Sequence, residues 1–460
     1  MKKLFTIIAL FAFSAGTFGQ TEVSGNQSGT WSSGNSPYNV VGEIIVPSGQ
    51  ILNIEAGVEV NFQGQYKFTV NGNLQAIGTE SDSIFFTTNN QATGWGGIRF
   101  DSSDGISTLS YCRIEYGKTS GDYPDNHGGG MAFFGADAVV SNCVFADNSS
   151  EEAEGMGGAV YGYNTGSTSG PLTLFTDCLF IRNHAYSEGG AIKFTGDMNT
   201  EIRGCEFLEN YCNYGGGAIS LYGVYGTKMI QCLFAQNYTM YASGGAIHSL
   251  GFGNSFEFEN CTITENEAVT GDGGGIYLVN AAAELTNCIV FDNPGMYSDN
   301  IFVDFSSTAE INYCNLTMPD GGTGSNNINE NPEFEDAVNL DYHLSENSPC
   351  IDAGTDIGYE YVGEAPDIGC FEYGWITGLG VSSAYGFSIY PNPTTDKINI
   401  DFADNEIQQI KISDLTGKTI LEKNTFKKNQ AIDLSDFKSG TYIFSMQTAE
   451  GIITRKIMKK

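Results

Sequence analysis

Short stretches of this chain alternate apolar and polar residues with a period of two, which is typical of β-strands that bury one face. The alternation is strict in residues 49–62, where Val58, Val60 and Phe62 are separated by polar residues. Clusters of Gly, Asn and Asp separate these stretches, as expected for tight turns. Beyond residue 20, no apolar stretch approaches the length of a transmembrane helix. The pattern predicts an all-β protein built from many short strands.

The strand pattern repeats through the middle of the chain. Cysteines recur at intervals of 26 to 35 residues, at Cys112, Cys143, Cys178, Cys205, Cys232, Cys261, Cys288 and Cys314. In six of these units an asparagine follows five positions later, at Asn148, Asn183, Asn210, Asn237, Asn266 and Asn293. A glycine-led strand comes after each loop, as in residues 189–192. A fixed period of this kind indicates a solenoid.

One repeat cannot bury its apolar face alone, whereas stacked copies share a continuous core. The sequence therefore predicts a right-handed parallel β-helix over residues 20–330, with successive coils about 4.8 Å apart. We expect each recurring asparagine at a bend, in the left-handed region and hydrogen-bonded in a ladder. The eight column cysteines are expected inside the solenoid as free thiols.

The charge of the chain excludes one class of partner. Asp and Glu number 54 against 21 Lys and Arg, and residues 21–386 alone hold 45 acidic and eight basic residues. A field of this sign repels nucleic acids and anionic membrane surfaces. Neither is expected as a partner.

Both ends of the chain differ from the repeats. Lys2 and Lys3 precede an apolar run over 4–13 and small residues over 14–19, which predicts a signal peptide at 1–19. A Gly/Ser-rich linker at 374–386 leads to a mildly basic all-β module at 387–460. The mature protein is thus expected to be exported, without a transmembrane segment.

Residues 30–340 resemble the pectate-lyase-like β-helices of secreted Bacteroidetes proteins, a likeness that is specific for fold but not for activity. The segment 331–373 is similar to the choice-of-anchor Q segment that follows such solenoids, on residues 348–354 and 366–372. We interpret it as the last coil and cap, since an open solenoid end exposes strand edges. Asp352, Asp367 and Glu372 are expected to be structural, and a disulfide between Cys350 and Cys370 is left open.

The module 387–460 resembles a type IX secretion sorting domain of type A. The residues that carry this resemblance are Pro391, Asn392, Pro393, Asp414, Gly417, Gly440, Tyr442 and Lys456. The resemblance implies a β-sandwich that takes the protein across the outer membrane, with the type IX machinery and its sorting peptidase as partners. The passenger would then be released or attached to surface lipopolysaccharide.

Two functions remain for the solenoid. The first is a glycan-binding or adhesion module. The second is a polysaccharide lyase or glycosidase, which the β-helix resemblance suggests and for which Arg182, Glu188 and Lys193 are the catalytic candidates. Such a lyase needs a basic proton acceptor and Ca²⁺ held by carboxylates. The sequence contains neither the H-E-x-x-H motif of zinc hydrolases nor the G-x-S-x-G motif of serine hydrolases. No cofactor is predicted for the binding function.

The glycine-led strands also predict a binding face. If Ile192 and Phe194 point inward, the residues between them point outward. In successive coils these outward positions are 132/134, 161/163, 193/195, 220/222, 248/250 and 277/279. We expect a glycan on this face, termed here the predicted face, at Phe134, Tyr161, Tyr163, Lys193, Tyr222, His248 and Tyr277. The alternative is that these side chains merely stack on one another.

Overall fold

A computed structural model gives the architecture of the 460-residue chain. It describes residues 21–103, 105–164, 172–196, 198–374, 387–390, 394, 397–402, 407–414, 419–423, 431–435, 437–438, 440–448 and 451–459. The predicted signal peptide and the predicted linker therefore lie outside the described residues, apart from Gly374. The chain divides into two units, at 1–373 and 374–460.

The first unit consists almost entirely of strands. In chain order they are β1 (Thr21–Asn26), β2 (Gly29–Trp31), β3 (Tyr38–Val46), β4 (Ile51–Glu55), β5 (Glu59–Phe62), β6 (Phe68–Val70), β7 (Asn73–Ile77), β8 (Ile84–Thr87), β9 (Ile98–Asp101), β10 (Ser107–Ser110), β11 (Cys112–Glu115), β12 (Met131–Phe134), β13 (Ala138–Ser141), β14 (Val144–Ala146), β15 (Ser149–Ser150), β16 (Val160–Asn164), β17 (Leu172–Thr176), β18 (Leu179–Ile181), β19 (His184–Ala185), β20 (Ile192–Gly196), β21 (Asn199–Arg203), β22 (Glu206–Leu208), β23 (Tyr211–Cys212), β24 (Ile219–Tyr222), β25 (Thr227–Ile230), β26 (Leu233–Ala235), β27 (Tyr238–Thr239), β28 (Ile247–Glu259), β29 (Thr262–Thr264), β30 (Glu267–Ala268), β31 (Ile276–Thr286), β32 (Ile289–Phe291), β33 (Ile301–Val303), β34 (Thr308–Asn312), β35 (Asn315–Leu316), β36 (Gly322–Thr323), β37 (Phe334–Asp336) and β38 (Asp341–Leu344). Short 3₁₀ turns lie at Ser33–Asn35 and Ala337–Asn339. Among the described residues, no helix has the length and apolar character needed to cross a membrane.

The strands stack in parallel from one coil to the next. Thirty-one of the first 36 strands form one continuous sheet, and the five two-residue strands β15, β19, β23, β27 and β30 form a second row. Each coil pairs in register with its neighbours, as in the succession β16, β20, β24, β28 and β31. The predicted parallel β-helix is confirmed.

Inward side chains fill the solenoid with repeated stacks. The rings of Phe145, Phe180, Phe207 and Phe234 lie parallel, with centroids 4.7 Å apart in successive coils. The eight column cysteines are buried beside them as free thiols, as predicted. Burial raises the pKa of the Cys205 thiol well above its ordinary value, so this group is protonated and unreactive at neutral pH.

The predicted asparagine ladder is present, with one correction to its geometry. Nδ2 of Asn183 donates to Oδ1 of Asn210 at 2.9 Å and to the carbonyl of Phe145 at 2.9 Å. The left-handed residue is not the asparagine but the residue before it, with φ of 52° at Arg182 and 55° at Glu209. The bend is made one position earlier because each asparagine turns its amide inward to bond the neighbouring coils.

The segment 331–373 lies along the side of the solenoid, where it packs on outward side chains of several coils. Tyr342 donates to Oε2 of Glu265 at 2.8 Å and packs in one cluster with Leu208 and Leu233. These leucines would otherwise expose apolar surface to water, and the segment covers them. The segment therefore covers the side of several coils, and not only the end of the last coil as expected for a cap.

Within this segment, polar side chains serve the local backbone. Asp352, Asp367 and Glu372 each accept backbone N–H groups from it, which agrees with a structural role. Burial, with the nearby Asp367 charge, raises the pKa of Glu372 to about 7. The thiols of Cys350 and Cys370 are both free, which answers the open question of a disulfide.

The second unit is a small antiparallel sandwich. Its strands are β39 (Phe387–Tyr390), β40 (Lys397–Phe402), β41 (Ile407–Asp414), β42 (Thr419–Lys423), β43 (Ala431–Asp433), β44 (Gly440–Thr448) and β45 (Gly451–Lys459). They form a three-stranded and a four-stranded sheet. Side chains from both sheets, including Ile398, Ile412 and Phe444, share one buried core.

Candidate functional site

The outward columns of the predicted face line up as expected. Residues 132, 161, 193, 220, 248 and 277 pair in succession and form an inner column, next to the loop that precedes each strand. Residues 134, 163, 195, 222, 250 and 279 form an outer column in the same register. The strand direction and the register of this face were thus predictable.

Accessibility differs sharply between the two columns. Tyr161, Lys193 and His248 of the inner column are only 4%, 3% and 7% exposed, whereas Tyr222 of the outer column is 50% exposed. The loops before the strands cover the inner column. The His127 ring lies 4.5 Å from that of Tyr161, and a Cβ on Gly215 would come within 2.9 Å of the His248 ring. Outward direction therefore does not make these groups accessible to a ligand.

Two of the three catalytic candidates, Glu188 and Lys193, contact each other under these loops. Nζ of Lys193 pairs with Oε2 of Glu188 and lies 3.1 Å from Oγ of Ser220, which itself donates to the same carboxylate at 3.0 Å. Burial alone would raise the pKa of Glu188, but the Lys193 charge and hydrogen bond outweigh it and lower the pKa. Lys193 also lies 5.8 Å from the centroid of the Tyr222 ring, within cation–π range.

The histidines beside this cluster are neutral at physiological pH. Burial lowers the pKa of His248 to about 4, an effect that Glu188 opposes and Lys193 reinforces. Burial and the Arg99 charge likewise bring the pKa of His127 to about 4. Arg99 itself is buried at the start of the column and donates to the carbonyls of His127 and Gly128 at 2.7 Å.

The third catalytic candidate lies in a different place. Arg182 is bound through both Nε and Nη2 to Asp147, at 2.9 Å each, and lines a pocket of about 210 Å³ together with Lys118, Glu151 and His184. Glu188 and Lys193 do not line that pocket. The structure therefore brings Glu188 to Lys193 but leaves Arg182 with other partners.

An exposed row of aromatic rings was missed by the sequence analysis. Tyr186, Tyr214 and Tyr241 are 38%, 45% and 63% exposed, with successive ring centroids 6.2 and 6.0 Å apart. Beside them stack His184, Tyr211 and Tyr238, at 4.1 and 5.0 Å. We call these six residues the aromatic stripe.

The stripe has a sequence signal that could have been found. His184, Tyr211 and Tyr238 each directly follow a ladder asparagine, and their strands β19, β23 and β27 pair in register. Tyr186, Tyr214 and Tyr241 follow two or three positions later in the same coils. Attention to the position after each recurring asparagine would have placed these rings in one row.

Metal ligands are not gathered in the described part of the chain. Among those residues, no group of three or more His, Cys, Asp or Glu side chains is arranged to hold a metal ion. Near Lys193, the described ion-pair partner is the single carboxylate of Glu188.

The residues of the predicted sorting motif fall partly within the described strands. Asp414 in β41 pairs with Tyr442 in β44, Gly440 begins β44, and Lys456 pairs with Ile443. Tyr442 is buried in the sandwich core, where its hydroxyl donates to the carbonyl of Lys438 at 2.8 Å. Pro391, Asn392, Pro393 and Gly417 lie outside the described residues.

Two models of known protein families match the chain, one in each of its two units. Residues 388–460 match the family described as "Secretion system C-terminal sorting domain". The chain carries a type IX sorting domain. Residues 157–331 match "Right handed beta helix region", so the predicted handedness is confirmed. Type IX secretion therefore exports this β-helix protein to the cell surface or the medium.

The crystal structure of pectate lyase Pel9A is similar at 14% identity and a TM-score of 0.37, over 71% of this chain and 88% of that chain. No curated protein matches the chain.

Proposed function

We propose that the exported β-helix is a glycan-binding module that serves in surface attachment. The observation that supports this proposal is the aromatic stripe, in which a row of exposed rings lies along a row of half-buried ones in successive coils. Tyrosine faces pack against the apolar faces of sugar rings, while their hydroxyl groups supply hydrogen bonds.

The β-helix holds the rings of the stripe in fixed positions, which favours ligand binding. Each ring stands on a strand or turn that is hydrogen-bonded to the coils on both sides, as Tyr211 is through β19 and β27. Rings held in this way lose little conformational entropy when a ligand binds. The coil repeat of about 4.8 Å offers a ladder of contacts to an extended polymer.

The predicted face remains a weaker candidate for the same ligand. Its accessible ring is Tyr222, while Phe134, Tyr163 and Tyr277 are half-buried and Tyr161, Lys193 and His248 are covered. A ligand could reach the outer column but would meet the inner column only if the loops moved. This distinction supplies a matched control for the binding test.

The test is a glycan array followed by titration calorimetry on the mature protein. We expect the double substitution Tyr214→Ala/Tyr241→Ala to weaken binding at least tenfold, and Tyr222→Ala to change it less than twofold. A loss in Tyr222→Ala with none in the double variant would return the site to the predicted face, and equal losses would indicate contacts on both surfaces. Appearance of unsaturated or reducing-end products in the same mixtures would instead support the lyase or glycosidase alternative.

The route of export has its own test. Deletion of residues 387–460 should leave the protein in the periplasm, because the sorting domain is removed. The solenoid should remain folded, since the described residues of each unit form a buried core of their own. Arrival of the truncated protein at the surface would contradict delivery by this domain.

A further inference from the structure

The aromatic stripe continues into a polar groove. His184 and Tyr211 belong to the stripe and also line the 210 Å³ pocket that contains Arg182. A second pocket of about 390 Å³ adjoins it, and Gln91 and Tyr116 line both. The two pockets thus extend the stripe toward the earlier coils.

The charges in this groove are balanced. Arg182 is held by Asp147 in a two-point ion pair and has Glu209 at 4.0 Å, while Nζ of Lys118 lies 2.6 Å from Oε2 of Glu151. The hydrogen bond from Lys118 outweighs desolvation and lowers the pKa of Glu151, so this carboxylate is ionised at neutral pH. Neither basic group offers an uncompensated positive charge to a ligand.

The second pocket is also polar, but Glu59 and Glu115 give its lining an excess of negative charge. Its lining includes the Phe85 ring, which is 39% exposed, together with the amides of Asn89 and Gln91. The carboxylate of Glu115 also lines it, and this group is bound by Arg113 and by the Thr87 hydroxyl. Rings, amides and paired ions suit a ligand rich in hydroxyl groups.

We propose that this groove binds an uncharged polysaccharide lengthwise, with sugar units seated from the stripe through both pockets. The proposal rests on the glycan-binding function above and names the class of glycan. Paired ions present fixed donors and acceptors to sugar hydroxyls, whereas a uronate unit would bring an anion against Asp147 and Glu151 without a free cation to receive it. Burial lowers the pKa of His184, so its ring is neutral here.

The test compares uncharged and acidic oligosaccharides of equal length. The mature protein is titrated with cellohexaose, xylohexaose, mannohexaose and hexagalacturonate at low and moderate salt. We expect at least one uncharged hexaose to bind ten times more tightly than hexagalacturonate. Preference for hexagalacturonate would overturn this inference and leave glycan binding intact, whereas binding of none of these or of any array glycan would overturn the proposed function itself.

A charge substitution makes the test specific to the groove. Asp147→Asn/Glu151→Gln frees Lys118 and leaves Arg182 with only the Glu209 carboxylate at 4.0 Å. Asparagine tolerates the left-handed backbone at position 147, where φ is 55°. We expect this variant to bind hexagalacturonate at least tenfold more tightly than the parent does. The control Glu284→Gln/Glu310→Gln removes the same charge from exposed positions on β31 and β34 and should change this affinity less than twofold. Equal changes in the two variants would show that net charge, not the groove, sets the preference.

Discussion

The predicted face and the groove differ in what lies over them. On the predicted face, the loops that precede the strands cover the inner column, so Lys193 is buried and its partner Glu188 is only 24% exposed. In the groove, the ion pair of Arg182 with Asp147 remains in contact with solvent. The alternation of residues in a strand determines which side chains point outward. Segments elsewhere in the chain determine which of those reach water.

A single sheet column shows the same effect along the solenoid. Phe85 and Leu233 occupy the same column, five coils apart. Phe85 is 39% exposed, whereas Leu233 is 2% exposed because the segment 331–373 packs over it. Position within the repeat is therefore a poor guide to exposure when a later segment folds back on the sheet.

The largest effect is expected at Lys193. Lys193→Met keeps the apolar stem but leaves the partly exposed Glu188 carboxylate without its cation, which should lower the free energy of unfolding by about 3 kcal/mol. Chemical denaturation of the two proteins measures this difference. Glycan affinity should stay within twofold of the parent, because Lys193 lies beneath the loops. A folded, equally stable variant that loses binding would show that Lys193 contacts the ligand.

Acid should destabilise the protein through the covered histidine. The pKa of His248 is about 4 in the folded protein and about 6.5 when unfolded. The unfolded chain therefore binds more protons between these values, so this contribution is complete above pH 6.5 and is lost as the pH falls to 4. The loss amounts to about 3 kcal/mol.

The measurement compares unfolding free energies of the parent and His248→Gln at several pH values. The free energy of unfolding of the variant should depend less steeply on pH between 4 and 6.5 than that of the parent. Glu372, with a pKa near 7, contributes in the opposite sense, so the difference between parent and variant isolates His248. Equal slopes in the parent and His248→Gln would contradict the buried, neutral state.

Much of this fold was predictable because it depends on local periodicity. The register of the columns that contain Lys193 and Tyr222 follows from the repeat and the period of two. Burial of Lys193 depends on residues such as Glu188 and Gly215, which directly precede the recurring glycine pairs but whose side chains differ from one coil to the next. Tyr211 and Tyr238 of the stripe directly follow ladder asparagines, so their positions do repeat in the sequence. Predicting the stripe would also have required recognition of the second row of short strands.

The pair Leu233 and Phe85 tests the covering segment. Leu233→Ala should cost about 2.5 kcal/mol, because it leaves a cavity under Tyr342. Phe85→Ala, at the equivalent open position, should cost less than about 1 kcal/mol, since much of the ring already contacts water. Thermal or denaturant unfolding measures both. Similar costs would mean that the segment 331–373 does not protect this side of the sheet.

The smallest effect on stability is expected at Arg182. Arg182→Gln breaks an ion pair whose arginine side chain is 47% exposed, so water replaces most of what is lost and the cost should fall below about 1 kcal/mol. Added salt should shrink it further, because exposed charges are screened. The same change leaves Asp147 unpaired in the groove and should weaken binding of acidic oligosaccharides still more than that of uncharged ones. Denaturation of Arg182→Gln and Lys193→Met with and without 0.5 M salt measures how the two losses of stability differ. If the loss at Arg182 were as large and as insensitive to salt as that at Lys193, the groove would also be covered.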